Sequence, residues 1–259
     1  MRTVVATRYV TPLREGGSLP AVVEGDDQGL YVAKFRGAGH GAKALVAEVV
    51  VGELARAAGL RVPEIVRLEV DGALGRNERD DEIRALLRGS VGTNLGVDFL
   101  PGSVTFDPAT GPAPEAAEAS AVVWFDAFVK NQDRTPRNPN LLAWHHGLWL
   151  IDHGSSLHFH HAWEGAETWA LAPFEGVKDH VLLPWASRLG EAGERLAGRL
   201  GARAFERALA DVPDGWLGGE PRFAGPADHR SAYLRQLERR LAAAPRFLEE
   251  AERARALLV

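Results

Sequence analysis

The chain of 259 residues is 46% hydrophobic and 25% charged, with a formal net charge of -5 and a pI near 6.0. That is apolar surface enough for one large domain or two small lobes, and it gives no whole-chain electrostatic drive toward nucleic acid or an anionic membrane. Zero cysteines exclude a disulfide framework, thiolate zinc sites and cysteine nucleophiles.

No apolar run reaches the roughly 18 residues of a membrane span, and the N-terminus lacks a long apolar leader, so a soluble cytoplasmic protein is expected. "TVVATRYV" and "PAVVEG" read as β-rich runs, and "DDQG" turns the chain into "LYVAKF". Three antiparallel strands follow from this. Residues 42–58 place Leu45, Val46, Val49, Val50, Leu54 and Ala57 on one stripe at helical spacing, with Gly59 as a stop. "RVPEIVRLEV" predicts a fourth strand. "DGALGRNERDDEIRALLRGS" reads as an exposed excursion with one helical turn, and "TNLGVDFLPG" as the next extended segment.

From about residue 114 the pattern becomes helical, with Ala121, Val122, Phe125, Phe128 and Val129 on one face. That helix ends near Lys130 and delivers the polar cluster "NQDRTPRN". "NLLAWHHGLWLID" predicts a hairpin turning at "HHG", with Asp152 at its exit. The tail carries two long Arg, Glu, Ala and Leu patterns split by "DVPDGWLGGEPRFAGP", which predicts two or more helices. Strands first and helices later make an α+β protein of two lobes, residues 1–100 and 101–259.

A hairpin brings its two ends together, so Asn138 before it and Asp152 after it can converge on one divalent cation with hard oxygen ligands. Asp133 is then left to face a hydroxyl and accept its proton. Lys34, in the apolar run "LYVAKF", needs a partner or a solvated edge-strand face, and Glu48 and Glu53 on the following helix compete as that partner. Gly16, Gly17 and Ser18, between the first two strands, offer backbone N–H groups to phosphates. Six of the nine histidines fall between positions 145 and 161. They suggest a transition-metal hydrolase, but they lack the helical spacing of a zinc-binding pair. Trp124, Trp144 and Trp149 read as core.

"NQDRTPRNPNLL" resembles the Asn-x-Asp-Arg-x-x-x-x-Asn loop of the protein-kinase-like superfamily, in particular of HipA-like kinases and type II phosphatidylinositol 4-kinases, and "LIDHGSS" is similar to their metal-binding Asp segment. The resemblance covers roughly residues 10–157. It implies a protein-kinase-like two-lobed fold, with a small β-rich N-lobe carrying one helix and a larger, mainly helical C-lobe. Asp133 becomes the catalytic Asp, Arg134 its electrostatic buttress, and Asn138 and Asp152 the Mg²⁺ ligands. Lys34 and Glu48 become the phosphate-holding pair, although Ala47 stands where Asn is usual. Gly16, Gly17 and Ser18 form the phosphate loop, and the backbone of Phe99 and Leu100 the adenine-facing hinge. A minimal kinase without the added N-terminal domain of full HipA toxins is implied, using ATP and Mg²⁺. Its acceptor would be a protein Ser or Thr, Ser18 itself included, rather than a small molecule held by "HAWEGAETW". A catalytically inactive pseudokinase or a small-molecule kinase is the alternative.

Overall fold

A computed structural model of the protein describes residues 1–13, 19–39, 41–76 and 78–258. The chain divides into two compact units, Met1–Val46 with Pro63–Pro101, and Ala47–Val62 with Gly102–Val259. Among the described residues no helix is long and apolar enough to cross a membrane.

In the first unit five strands close into a barrel: β1 (Thr3–Pro12), β2 (Ala21–Gly25), β3 (Leu30–Lys34), β4 (Ile65–Val70) and β5 (Gly92–Asp98), in the order β1-β2-β3-β5-β4. Alternation puts Val4, Ala6, Val23, Tyr31, Ala33, Val66 and Leu68 into one buried core. The three antiparallel strands expected at the start become a closed sheet because β1 also pairs in parallel with β4, Thr3 opposite Arg67. Closure leaves no sheet edge to protect. β3 lies between β2 and β5, so Lys34 is not on an edge strand; it shares the outer face with Val32 and sits opposite Leu95.

Two helices belong to the connections, α1 (Gly41–Ala58) and α2 (Asp81–Gly89). α2 is a full nine-residue helix where one turn was expected. Asp80 caps it, accepting from the N–H groups of Glu82 and Ile83 at 2.9 and 3.3 Å, and Leu87 buries against the barrel. α1 is buried well beyond the predicted stripe, since Ala47, Val51 and Ala55 are also inside, whereas Ala57 is exposed. Gly59 ends it at φ +87, and a Cβ there would lie 2.1 Å from Arg199 Nη1.

The second unit is organised on α3 (Ala116–Val129), in which every residue from Ala119 to Val129 is buried. One apolar face was expected; a helix that is apolar all round belongs inside instead. β6 (Val104–Thr105), β7 (Leu141–Trp144) and β8 (Gly147–Leu150) form a small sheet in that order. The β7–β8 turn has positive φ at both His145 and His146, as a primed two-residue hairpin turn requires. Trp124 is core, whereas Trp144 and Trp149 are only half-buried on this sheet, edge to face at 5.1 Å.

Short 3₁₀ turns then lead to α4 (Ala166–Leu171), α5 (Leu189–Ala197), α6 (Ala202–Ala210), α7 (Asp214–Leu217), α8 (Pro226–Ala242) and α9 (Ala244–Ala256). Both long tail patterns break in two, the first at Gly198–Gly201 and the second at Ala243 ahead of Pro245. Phe205 and Phe247 reach α3 here, with ring centroids 6.1 and 6.4 Å from Phe128. Arg240, fully buried, donates to the carbonyls of Ala127 and Phe128 at 2.7 and 3.1 Å and so satisfies the end of α3.

Two stability measurements check this packing. Phe128→Ala should lower the unfolding free energy in urea by about 3–5 kcal/mol, because a large ring leaves a cavity among other rings. Asp80→Ala should cost about 1 kcal/mol, the value of one N-cap.

Candidate active site

The sharp turn out of α3 begins at Lys130, which caps the helix in the left-handed conformation (φ 52) with its N–H on the Asp126 carbonyl. Burial and the neighbouring Arg240 push its ammonium down to about 8, and Nζ lies 5.4 Å over the Trp169 ring. The next residue, Asn131, is buried and accepts the Asp133 N–H on its side-chain oxygen at 3.1 Å. Asp133 is thus oriented from its own loop.

Beneath the loop lies a buried ion pair. Arg134, nearly inaccessible to solvent, donates through Nε to Asp126 Oδ2 and through Nη1 to the Asn140 carbonyl. Asp126 also accepts from His180 Nε2 at 2.9 Å, while His180 Nδ1 accepts the Leu182 N–H at 3.0 Å. That pair of contacts fixes the imidazole as the neutral Nε2–H tautomer. Burial alone pushes the Asp126 carboxyl up, but the Arg134 guanidinium and the His180 N–H hold it at about 2. Burial lowers the His180 imidazole, outweighing the opposite pull of Asp126. The Val181 N–H adds a 3.0 Å bond to the Arg134 carbonyl, so the 180–182 segment clamps the loop from behind.

Above the pair, the Asp133 carboxylate is held on one oxygen. Oδ2 accepts from Asn138 Nδ2 at 2.9 Å and from Asn140 Nδ2 at 3.3 Å, and the Asp133 carbonyl accepts from Asn140 Nδ2 at 2.6 Å. Donation through Nδ2 leaves the Asn138 side-chain oxygen as its remaining acceptor.

The two ends of the hairpin meet as expected: Leu141 pairs with Leu150, and the Ile151 N–H donates to the Asn140 carbonyl at 3.1 Å. Asn138 therefore precedes, and Asp152 follows, one tied pair of strands. Asp152 is exposed and adopts φ 56, an uncommon conformation that Asp tolerates better than most residues. Beyond it, the Gln132 N–H bonds the Ser155 carbonyl at 3.2 Å, which holds the loop carrying Asp133 against the segment carrying Asp152. One amide oxygen, one exposed carboxylate and no thiolate suit a hard cation that keeps waters and phosphate oxygens. Among the described residues no group of three or more His, Asp or Glu side chains is placed to hold a metal, and the 145–161 histidines gather into none.

Glu48 is buried, and its Oε1 accepts the Gly154 N–H at 2.9 Å, so the α1 carboxylate is bound to the Asp152–Gly154 segment within its own unit. Glu53 is different: it is half-buried and pairs with Arg56 at 3.6 Å. Lys34 lies on the barrel wall in the first unit. Phe99 also belongs to that unit, and its N–H donates to the Leu30 carbonyl at 2.9 Å, which leaves its carbonyl as the group that could face an adenine edge. Leu100 is buried beside it. Gly16, Gly17 and Ser18 lie outside the described residues.

A cavity of about 860 Å³ in the second unit is lined by Arg61, Phe106, Glu118, His145, Arg199 and their neighbours, and by none of Asp133, Asn138 or Asp152. Its size is not a reason to move the chemistry there. The "HAWEGAETW" segment is spent otherwise: Trp163 is buried against Phe159 and Tyr233, and Glu164 and Glu167 pair outward with Arg222 and Arg239.

Sequence reading singled out neither Asp126 nor His180. The signal for Asp126 is a carboxylate in the middle of "VVWFDAFV", which demands a buried partner. His180, 54 residues away in an irregular segment, carries no such signal.

Stability should fall with acid in two stages. His180, held below its unfolded value, contributes stability that is lost as pH falls through about 6.5. Asp126, held at about 2, adds a second loss as pH falls below about 4. In urea melts across pH, His180→Asn should remove the upper stage only. Asp126→Asn should cost about 3–5 kcal/mol at pH 7, by stranding a buried guanidinium.

The solved structures agree with this fold. The crystal structure of the Helicobacter pylori proinflammatory kinase CtkA is similar over 98% of this chain and 99% of its own, with a TM-score of 0.55 and 12% identity. The Golgi casein kinase with Mn and ADP bound is similar over 96% of this chain and 73% of its own, with a TM-score of 0.50 and 13% identity. No curated protein sequence matches. The family model described as HipA-like kinase matches residues 7–250, nearly the whole length. With the α+β architecture of a protein-kinase-like fold, this chain belongs to the HipA-like kinase family, a family of phosphotransferases.

Proposed function

We propose that the protein transfers the γ-phosphoryl group of Mg-ATP to a Ser or Thr hydroxyl of a protein. The observation that carries the reading is the held carboxylate of Asp133, bonded on Oδ2 by two side-chain amides and based on a buried Arg134–Asp126 pair. A carboxylate so fixed orients an acceptor hydroxyl and takes its proton. Asn138 and Asp152 would hold the cation, which when bound neutralises charge gathering on the phosphoryl oxygens. By the family resemblance, residues 1–100 would serve as the nucleotide-binding lobe, with Lys34, Gly16, Gly17 and Ser18 as its phosphate-binding residues, and residues 101–259 as the catalytic lobe. Glu48, already bound to Gly154, supplies the α1 carboxylate of the nucleotide site.

A protein acceptor is favoured over a small molecule because the segment considered for a small-molecule pocket is occupied. Of its two tryptophans, Trp163 is buried in an aromatic cluster and Trp169, half-buried, packs on Phe159 and under Lys130, while its acids face outward in ion pairs. The net charge of -5 gives no pull toward anionic lipid or nucleic acid.

Radiolabelled ATP with autophosphorylation as readout tests the reading. The wild-type protein should take up label, and Asp133→Ala should lower the rate at least about 100-fold while still binding ATP. Label that persists in Asp133→Ala would remove Asp133 as the base. ATP binding without any transfer by the wild type, even with phosphoproteomes of expressing cells unchanged, would make the chain a pseudokinase.

A further inference from the structure

Asn140 is the second asparagine of "NPN", and neither composition nor motif assigns it a part in the reaction. It is buried, and it holds φ 48, a left-handed conformation uncommon for a residue with a side chain. That conformation gives its backbone and its side chain separate partners. The backbone carbonyl accepts from Arg134 Nη1 and from the Ile151 N–H at 3.1 Å. The side-chain Nδ2 donates to the Asp133 carbonyl at 2.6 Å and to Asp133 Oδ2 at 3.3 Å. Both of those partners are acceptors, so the amide orientation follows from the chemistry.

We infer that Asn140 is a positioning residue that fixes which oxygen of Asp133 acts as the base. Oδ2 is occupied by Asn138 and Asn140, whereas Oδ1 carries no hydrogen bond among the described residues. The inference rests on the phosphotransferase reading. In the reaction, the acceptor O–H bond breaks and its proton passes to Asp133 Oδ1. The hydroxyl oxygen bonds the γ-phosphorus, and the bond from that phosphorus to the β–γ bridging oxygen breaks, releasing ADP. Asn138 would also serve the cation through its side-chain oxygen, so Asn140 is the amide devoted to Asp133 alone. A carboxylate held by one amide instead of two can rotate about its Cβ–Cγ bond, and the proton acceptor then leaves its line.

Two substitutions separate this role from folding. Asn140→Gly keeps the left-handed backbone, and with it the carbonyl bonds to Arg134 and Ile151, while it removes the amide. Asn140→Asp keeps the shape and sets a second carboxylate against Asp133. The charged groups facing that position are Asp133 and the Arg134 guanidinium, with the neutral amide of Asn138 beside them. Both variants should melt cooperatively and bind Mg-ATP within about threefold of wild type, while kcat for autophosphorylation falls by about 10- to 100-fold. A merely structural role would lower thermal stability and ATP affinity together with kcat, whereas loss of positioning lowers kcat alone.

Wild-type kcat in Asn140→Gly, or a loss of ATP affinity that matches the loss of kcat, would overturn the inference while leaving the kinase reading standing. Loss of cooperative melting in Asn140→Gly would make the amide a fold residue and overturn it as well. If the wild-type protein itself transfers no phosphate under any of these conditions, the parent reading has failed, and this inference with it.

Discussion

The second unit depends on one buried ion pair. Arg134 and Asp126 are both inaccessible, and removing two charges from water is costly unless most polar atoms nearby are answered. Among the described residues the pair leaves only Nη2 of the guanidinium without a hydrogen bond. Here the pair is extended by His180, which donates to the carboxylate, and by the Asn140 carbonyl, which accepts from the guanidinium. An apolar pair of the same volume would serve stability as well or better. What the ions add is direction. A guanidinium fork has fixed geometry, so it ties the end of α3, the loop at Asp133 and the first residue before the β7 strand into one arrangement.

Direction then propagates outward by short steps. Asn131 orients the Asp133 backbone, Asn138 and Asn140 grip one carboxylate oxygen, and the Ile151 N–H closes the hairpin on the Asn140 carbonyl. Glu48 grips the backbone just past Asp152. The aromatic packing of Phe128 with Phe205 and Phe247, together with Arg240 on the last α3 carbonyls, gives this chain of contacts a rigid base. A site built on a buried helix end and a short hairpin moves less than one built on a free loop.

Much of this was legible because the informative residues are close in sequence. The polar cluster between two apolar runs located the loop, and "HHG" located a turn that holds positive φ at both histidines. Barrel closure was not legible: the β1–β4 pairing is parallel and joins segments about sixty residues apart, where alternation specifies faces but not neighbours. α2 was undervalued because its charged residues masked an Asp cap followed by Ile83, Leu86 and Leu87 at helical spacing. The all-round burial of α3 escaped a reading that looks for a stripe. Asp126 carried a signal that went unread, a carboxylate inside an apolar helix, whereas its partner His180 carried none, since no local pattern connects residues 54 positions apart.

The central claim is that Asp152 and Asn138 hold the cation of a nucleotide for which Asp133 waits as base. Calorimetric titration of ATP in the presence and absence of Mg²⁺ tests it most directly, on the wild-type protein and on Asp152→Ala. The account predicts magnesium-dependent binding to the wild type that is lost in Asp152→Ala. Absence of binding to the pure protein, or binding unchanged by Asp152→Ala, would contradict it.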